Sequence, residues 1–344
     1  MSRLLLLWNS DIKMWRIDMS KKTILSGMRP TGRLHFGHLH GALLNWKRLQ
    51  YDYSCYYFIA DWHALTSEYS SPGVIKESTP DIIKDWMMVG LDPDICTFFV
   101  QSAIPEHAEL FLIFSMITPL PWLERNPTYK EQMQELTHRD LYTYGFLGYP
   151  VLQASDILMY KASGVPVGVD QAPHVEMTRE IARRFNFIYE TQLFPEPETL
   201  LAPTSRILGI DRRKMSKSYG NAIYLTDSDS NIDAKTSQMV TDPQRAKKSD
   251  PGRPEVCNVF TFHEIYSSAD TINRIDSECK RAAIGCVECK RIMADSLKTH
   301  LIPFREKRSE FTDDFVMDVI TDGNARARNT ARETMRQVKE TMKL

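Results

Sequence analysis

The sequence contains no run of about 18 apolar residues, so nothing in it reads as a membrane span and no membrane partner is expected. Neither charge is in excess: 43 Lys and Arg stand against 44 Asp and Glu, a formal net charge of −1. That excludes a protein that grips nucleic acid by bulk positive charge, and no DNA partner is expected; an RNA surface would have to be a local basic patch. Fifteen glycines and 18 prolines in 344 residues are too few for a collagen-like or low-complexity chain. There is no repeat at a fixed period and no Walker A pattern, so solenoid architectures and ordinary P-loop chemistry are set aside. The apolar run Leu4 to Trp8 is five residues long, is followed by Asp11 and Lys13, and lacks a small-residue cleavage site, so it does not read as a signal peptide. Residues 1–20 are taken as an N-terminal extension, with Met19 as an alternative start, and a cytoplasmic location is expected.

What is present is ordinary globular composition, 42% hydrophobic and 25% charged, in a length that suits about two domains. From Lys22 onward, short β-rich runs alternate with helical periodicity. Strands are expected over 23–26, 53–60, 95–100 and 165–169, and helices over 38–49, 81–89 and 173–185. The first of these helices carries Leu39, Leu43, Trp46 and Leu49 on one face. The βαβα order predicts an α/β fold: a Rossmann-like, doubly wound parallel sheet that binds ligands at the C-terminal ends of its strands. Residues 105–160 look like a helical insertion. Beyond about 228 the pattern is amphipathic and helical, giving domains at 21–228 and 229–344, the second all-α.

Between the first strand and first helix lies Gly27-Met28-Arg29-Pro30-Thr31-Gly32-Arg33-Leu34-His35-Phe36-Gly37-His38. A helix N-terminus offers unpaired N–H groups, glycine admits a ligand close to the backbone, and two imidazoles add donors, a combination suited to a nucleotide. The second constellation is Lys214-Met215-Ser216-Lys217-Ser218, two ammonium groups with hydroxyls between and after them, suited to a polyphosphate. Each segment alone is a weak signal, an incidental turn or a solvated basic loop.

Together and in this order they resemble the paired His-x-Gly-His and Lys-Met-Ser-Lys-Ser signatures of class I aminoacyl-tRNA synthetases, with Phe36 where Ile is commoner. The resemblance implies catalytic roles for His35, His38, Lys214 and Lys217, with ATP also held by Arg29, Pro30, Thr31, Gly37, Gly168, Val169, Asp170, Ile207, Met215, Ser216 and Ser218. The segment 148–160, in which Asp156 sits among apolar residues, looks like the amino-acid-binding helix of tryptophanyl-tRNA synthetases. There the matching Asp accepts the indole N–H, with Gln153 and Gln171 beside the substrate. Gly168-Val169-Asp170-Gln171, Leu123 to Glu131 and Ala60-Asp61-Trp62-His63-Ala64 also match that family, although Val169 stands where many members have Glu. Indole is a donor only, so an acceptor at depth pairs with tryptophan and is left unpaired by phenylalanine. Tyrosine donates as well, and tyrosyl-tRNA synthetase is the alternative. Read without the resemblance, Asp156 is an acid at a helix N-terminus that opens near Gly148.

Of six cysteines, Cys55 and Cys96 fall in strands as small buried apolar residues. Cys257, Cys279, Cys286 and Cys289 read C-x21-C-x6-C-x2-C, which suits Zn²⁺ or a [4Fe–4S] cluster, or four unligated thiols. The pattern is similar to that of a subset of bacterial tryptophanyl-tRNA synthetases with a [4Fe–4S] cluster in the anticodon-binding domain, and the resemblance favours iron. From Cys279 to Arg308 eight cations oppose three carboxylates, a candidate RNA surface. The implied function is a tryptophan–tRNA ligase that uses ATP with Mg²⁺, charges tRNA(Trp) and works as a homodimer. A non-catalytic, redox-sensing RNA-binding paralogue and a small nucleotidyltransferase are the competing classes.

Overall fold

The computed structural model describes residues 21–127, 129–130, 141–168, 171–201 and 207–344. The N-terminal extension, Met19, Thr128, Glu131, Val169 and Asp170 lie outside the described residues. Five parallel strands form one sheet: β1 (Thr23–Met28), β2 (Ser54–Ile59), β3 (Cys96–Val100), β4 (Gly164–Val167) and β5 (Glu198–Leu201), in the order β3-β2-β1-β4-β5. The strand order reverses between β1 and β4, and there a doubly wound sheet opens a crevice at the strands' C-terminal ends.

Side-chain alternation along the strands makes two cores. Ile24, Tyr57, Ile59 and Phe98 face one side with Trp46 and Trp86, whereas Leu25, Tyr56, Phe58 and Phe99 face the other. The first face is covered by α1 (residues 36–49) and α3 (Gly73–Val89). On it Leu39, Leu43, Trp46 and Leu49 are buried along the face expected from their spacing. A π turn at Leu39–Leu43 interrupts α1 directly after its first α turn, Phe36–His38. Helix α2 (Asp61–Glu68) follows β2. Among the described residues the second face is covered by α4 (Glu106–Ile117), α5 (Leu120–Glu124) and α6 (Tyr144–Met159), which lie between β3 and β4, and by α7 (Ala172–Ile188). Helix α6 starts at Tyr144 and continues through Gly148 and Pro150, so it does not open near Gly148 as expected. Asp156 therefore sits in its last turn, and a stabilising helix N-terminus is not available to it.

Beyond residue 228 the chain is helical: α8 (Asp229–Ser237), α9 (Asn258–Tyr266), α10 (Ala269–Lys280), α11 (Cys286–Ser309) and α12 (Asp313–Met342). The 30-residue α12 wraps the edge of the sheet. Val316, Val319 and Ile320 join the first core, and Ala327, Ala331, Met335 and Val338 join the second. Between them Gly323 lies against β3 so closely that a Cβ there would stand 1.7 Å from the Phe98 carbonyl oxygen. The neighbouring residues serve the polar groups of the strand edge. Asn324 Oδ1 accepts from the Val100 N–H at 2.9 Å, and Arg326 donates to the carbonyls of Pro93 and Cys96. An otherwise open edge is thereby closed by a helix.

The basic stretch 279–308 is largely consumed within the fold. Lys298 pairs with Asp233, Arg305 with Asp229, Arg308 with Asp81 and Asp85, and Lys280 with Asp276, while Lys290 donates to the Ser237 carbonyl. The partner carboxylates come from α3, α8 and α10, outside the stretch whose charge was counted, so the stretch is not the free cationic face that count implied. Arg291 of that stretch instead joins cations from outside it: Arg245, Lys247, Lys248 and Arg291, with Glu288, line an open groove of about 570 Å³ beside Cys286. Cys55 and Cys96 are buried register neighbours in β2 and β3, as read. Among the described residues no helix is long and apolar enough to cross a membrane.

Candidate active site

The first signature segment pairs through its main chain with residues 223–225, just beyond the second. The Phe36 N–H donates to the Ile223 carbonyl at 3.1 Å and the Leu225 N–H to the Leu34 carbonyl at 2.9 Å, and His35 bridges to Tyr224. Gly32 turns the chain after β1 at φ +100, a left-handed conformation that glycine adopts without strain. At the start of α1 the His35 Nδ1 accepts from the Gly37 N–H and the His38 Nδ1 accepts from the His35 N–H, both at 3.1 Å. Each neutral ring therefore carries its proton on Nε2, and that N–H is its one ring donor. Burial, with the Lys217 charge, lowers the His35 pKa from 6.5 to about 4, and His38 is held well below the ordinary value for the same causes plus its neighbour His35. In this state both histidines act as neutral donors and bring no charge of their own to a phosphate. Phe36 is fully buried, edge-on to Tyr266 of α9 at 5.0 Å, so the residue that departs from the commoner Ile joins α1 to the helical region.

In the second segment the Lys217 ammonium donates to the Gly32 carbonyl at 2.7 Å, in the turn that precedes His35. Burial, and then the Arg29 charge, bring its pKa down from 10.5 to about 8 against the opposing pull of Asp85. Asn221 shapes the loop: its Oδ1 accepts from the Ser216 N–H, and its Nδ2 donates to the Lys214 carbonyl and to Asp211. Met215 is buried and lies near Gly37, while Lys214 and Ser218 are exposed and Ser216 is half-buried. Pro30 and Ile207 are buried, and Thr31, Gly168, Gln153 and Gln171 are partly exposed. The structure thus brings together Gly32, His35, Gly37, His38, Met215 and Lys217, with Arg29 near enough to act electrostatically on Lys217 and on Tyr149.

Asp156 is fully buried, and three side chains serve its carboxylate. Gln101 Nε2 lies 2.8 and 2.9 Å from the two oxygens, His107 Nδ1 lies 2.5 Å from Oδ1, and His63 Nε2 lies 2.7 Å from Oδ2. Burial alone would raise its pKa, but hydrogen bonds from His107 and His63, together with their charge, hold it below the ordinary carboxylate value. Gln101 follows the last residue of β3; its Oε1 accepts from the Trp62 and His63 N–H groups at the start of α2, which orients its amide toward Asp156. Nearby, Tyr149 and Asn126 both bond the ring of His174. Sequence reasoning missed Gln101, His107 and Tyr160, which lie on or beside three different elements. The signal that was there is the family match of the Asp61–His63 segment.

The four cysteines are free, half-buried and close enough to affect one another. The Cys289 thiol is pushed up to about 12 by burial and then by Cys257, Cys279 and Cys286. Arg245 Nη1 donates to Cys279 Sγ at 3.5 Å, and Gly252 lies against the same sulfur, where a Cβ would stand at 2.5 Å. Among the described residues no three His, Cys, Asp or Glu side chains stand at metal-binding geometry.

A parallel α/β sheet with these two segments in contact beyond the end of β1 is the arrangement of a class I aminoacyl-tRNA synthetase. A family model described as tRNA synthetases class I (W and Y) matches residues 19–301. The chain is 49% identical to the Tryptophan--tRNA ligase of Thermotoga maritima, over 93% of this chain and 99% of that one, and 43% identical to that of Ralstonia nicotianae, over 95% and 99%. The tryptophanyl-tRNA synthetase of Campylobacter jejuni, solved with ADP and tryptophan, is similar with a TM-score of 0.85 at 30% identity, over 94% of this chain and 100% of that one. The chain belongs to the tryptophan–tRNA ligases, the tryptophanyl branch of that class.

Proposed function

We propose that the chain activates L-tryptophan with ATP and Mg²⁺ to tryptophanyl-adenylate and transfers it to tRNA(Trp), residue by residue as follows. The tryptophan carboxylate is itself the nucleophile at the α-phosphorus and pyrophosphate leaves, so the protein supplies position and charge and no covalent intermediate. The Nε2–H groups of His35 and His38 donate to the triphosphate, and Gly37 leaves room for adenosine at the start of α1. Lys217 exchanges the Gly32 carbonyl for phosphate oxygens, and Lys214 joins it. Asp156 accepts the indole N–H, with Gln153 and Gln171 at the substrate and Gly168, Val169 and Asp170 at the nucleotide. The observation that carries this reading is the Lys217 contact with the Gly32 carbonyl, which brings the second signature segment against the first and supports a shared role at a triphosphate.

Residues 21–228 are assigned to catalysis and 229–344 to anticodon reading. For the four cysteines a [4Fe–4S] cluster is the favoured occupant over Zn²⁺. Supporting it are three thiols near enough to raise the Cys289 pKa, a cationic donor on Cys279 and the space left by Gly252; hydrogen bonds of this kind to sulfur tune such clusters. When bound, the cluster supplies a cross-link between Cys257 at the start of α9, Cys279 at the end of α10 and the first turn of α11. The groove of Arg245, Lys247, Lys248 and Arg291 beside it suits an RNA backbone. A homodimer is favoured by the exposed apolar side chains concentrated between 112 and 144, among them Leu112, Met116, Leu120, Tyr142 and Tyr144. Metal analysis and visible absorbance on anaerobically purified protein test the cluster. Iron with sulfide and a charge-transfer band that Cys286→Ser abolishes is the expected result; stoichiometric zinc or metal-free protein would discard iron.

A further inference from the structure

Three donors surround Asp156, but they are not equivalent. A carboxylate has about four lone-pair sites, and contacts from Gln101, His107 and His63 meet both oxygens. The His63 side chain keeps 12% of its surface exposed, whereas Gln101 and His107 are sealed. A ligand entering from the crevice can therefore displace or share the His63 contact, but it cannot reach the other two. Behind His107 the chain of contacts continues. Its Nδ1 meets Asp156, and on the far side of the ring its Nε2 lies 2.8 Å from the Tyr160 hydroxyl. The Tyr160 ring stacks on Tyr56 at 4.5 Å, and the Tyr56 hydroxyl bonds Thr330 of α12 at 3.1 Å. One turn along α12, Thr334 donates to the Met159 carbonyl, next to Tyr160. The polar pair His107–Tyr160 and the polar pair Tyr56–Thr330 are joined by ring packing between the two tyrosines, and buried contacts of this kind favour one geometry.

We propose that His107, backed by Tyr160, is a positioning residue for tryptophan selection: it fixes the Asp156 carboxylate from the protein interior and ties that orientation to the C-terminal helix through Tyr56 and Thr330. The inference rests on the reading of Asp156 as the indole acceptor. It differs from a purely structural role in what it predicts. Loss of the His107 contact leaves Oδ1 held by Gln101 alone, which loosens the carboxylate and weakens binding of the amino acid while ATP, held by other residues, is unaffected.

The test is tryptophan-dependent ATP–pyrophosphate exchange on the full chain, with KM for tryptophan and for ATP measured separately, together with the preference for tryptophan over phenylalanine. His107→Leu is expected to raise KM for tryptophan by roughly 10- to 100-fold, the worth of one charge-assisted hydrogen bond, with KM for ATP unchanged. His107→Asn, which keeps a donor at the Nδ1 position, is expected to restore most of the loss. Tyr160→Phe removes one hydroxyl without changing shape, and a several-fold rise is expected from it; this variant decides the matter if His107→Leu does not fold. Asp156→Ala separates the two readings. If it leaves KM for tryptophan unchanged, the indole-acceptor reading falls and this inference with it. If Asp156→Ala raises that KM but His107→Leu and Tyr160→Phe do not, or if they impair tryptophan and ATP alike, the positioning role alone is overturned.

Discussion

Gly323→Ala should destabilise the protein, although alanine in the middle of a helix ordinarily does the opposite. In an exposed helix the change gains up to about 1 kcal/mol of helix propensity. Here the added methyl would stand 1.7 Å from the Phe98 carbonyl oxygen, and ordinary contact begins at 3.4 Å, so α12 has to back away by roughly 1.7 Å. Such a shift stretches the Asn324 bond to the Val100 N–H and the two Arg326 bonds to main-chain carbonyls, now 2.9 to 3.0 Å, beyond useful length. Three bonds at about 1 kcal/mol each, with overpacking of about 1–3 kcal/mol, outweigh the propensity gain and leave a net loss of about 3–5 kcal/mol. Against a total of about 5–15 kcal/mol that is a large shift of the urea midpoint. Because β3 leads directly into Gln101, KM for tryptophan should rise as well. Equilibrium urea unfolding followed by far-ultraviolet circular dichroism measures the first effect. A midpoint equal to or above that of the parent chain would show that α12 does not clasp the strand edge as described.

Two further outcomes follow from charge. Lys217 has its folded pKa lowered to about 8, so without ATP it loses its proton as pH rises through 8, and KM for ATP should rise above that pH; Lys217→Arg, which stays charged, should flatten the profile, and a pH-independent KM in the parent chain would contradict it. His35 has a folded pKa of about 4 against 6.5, so the unfolded chain takes up more protons between those values and stability should fall as pH drops from 6.5 toward 4. His38, His40 and His300, lowered mainly by burial, act in the same direction. Urea midpoints measured across that range check the slope, and a flat or rising trend on acidification would refute it.

Much of the nucleotide half of the site was legible in the sequence because it is local. Each signature segment is contiguous, and the first falls at a strand-to-helix turn that periodicity alone locates. The two-faced sheet was equally legible, since Tyr56, Tyr57 and Phe58 alternate between cores. What escaped was non-local. Strand β5 has four residues, of which Leu201 is exposed, and offers no apolar run to detect. Pro150 and Gly148 are breaker residues by rule, yet α6 runs through both, held by burial on nearly every side. The basic count of 279–308 was correct as arithmetic and misleading as a surface, because Asp81 and Asp85 lie more than two hundred positions away from Arg308. The three donors of Asp156 come from α2, α4 and the end of β3, and only the folded chain shows that its acceptor capacity is already engaged.

The most direct test of the account is ATP–pyrophosphate exchange with each of the twenty amino acids in turn. The account predicts exchange with tryptophan alone. Exchange with tyrosine would keep the fold and the two signature segments but contradict the Asp156 pocket, and no exchange from folded, ATP-binding protein would contradict the catalytic reading as a whole.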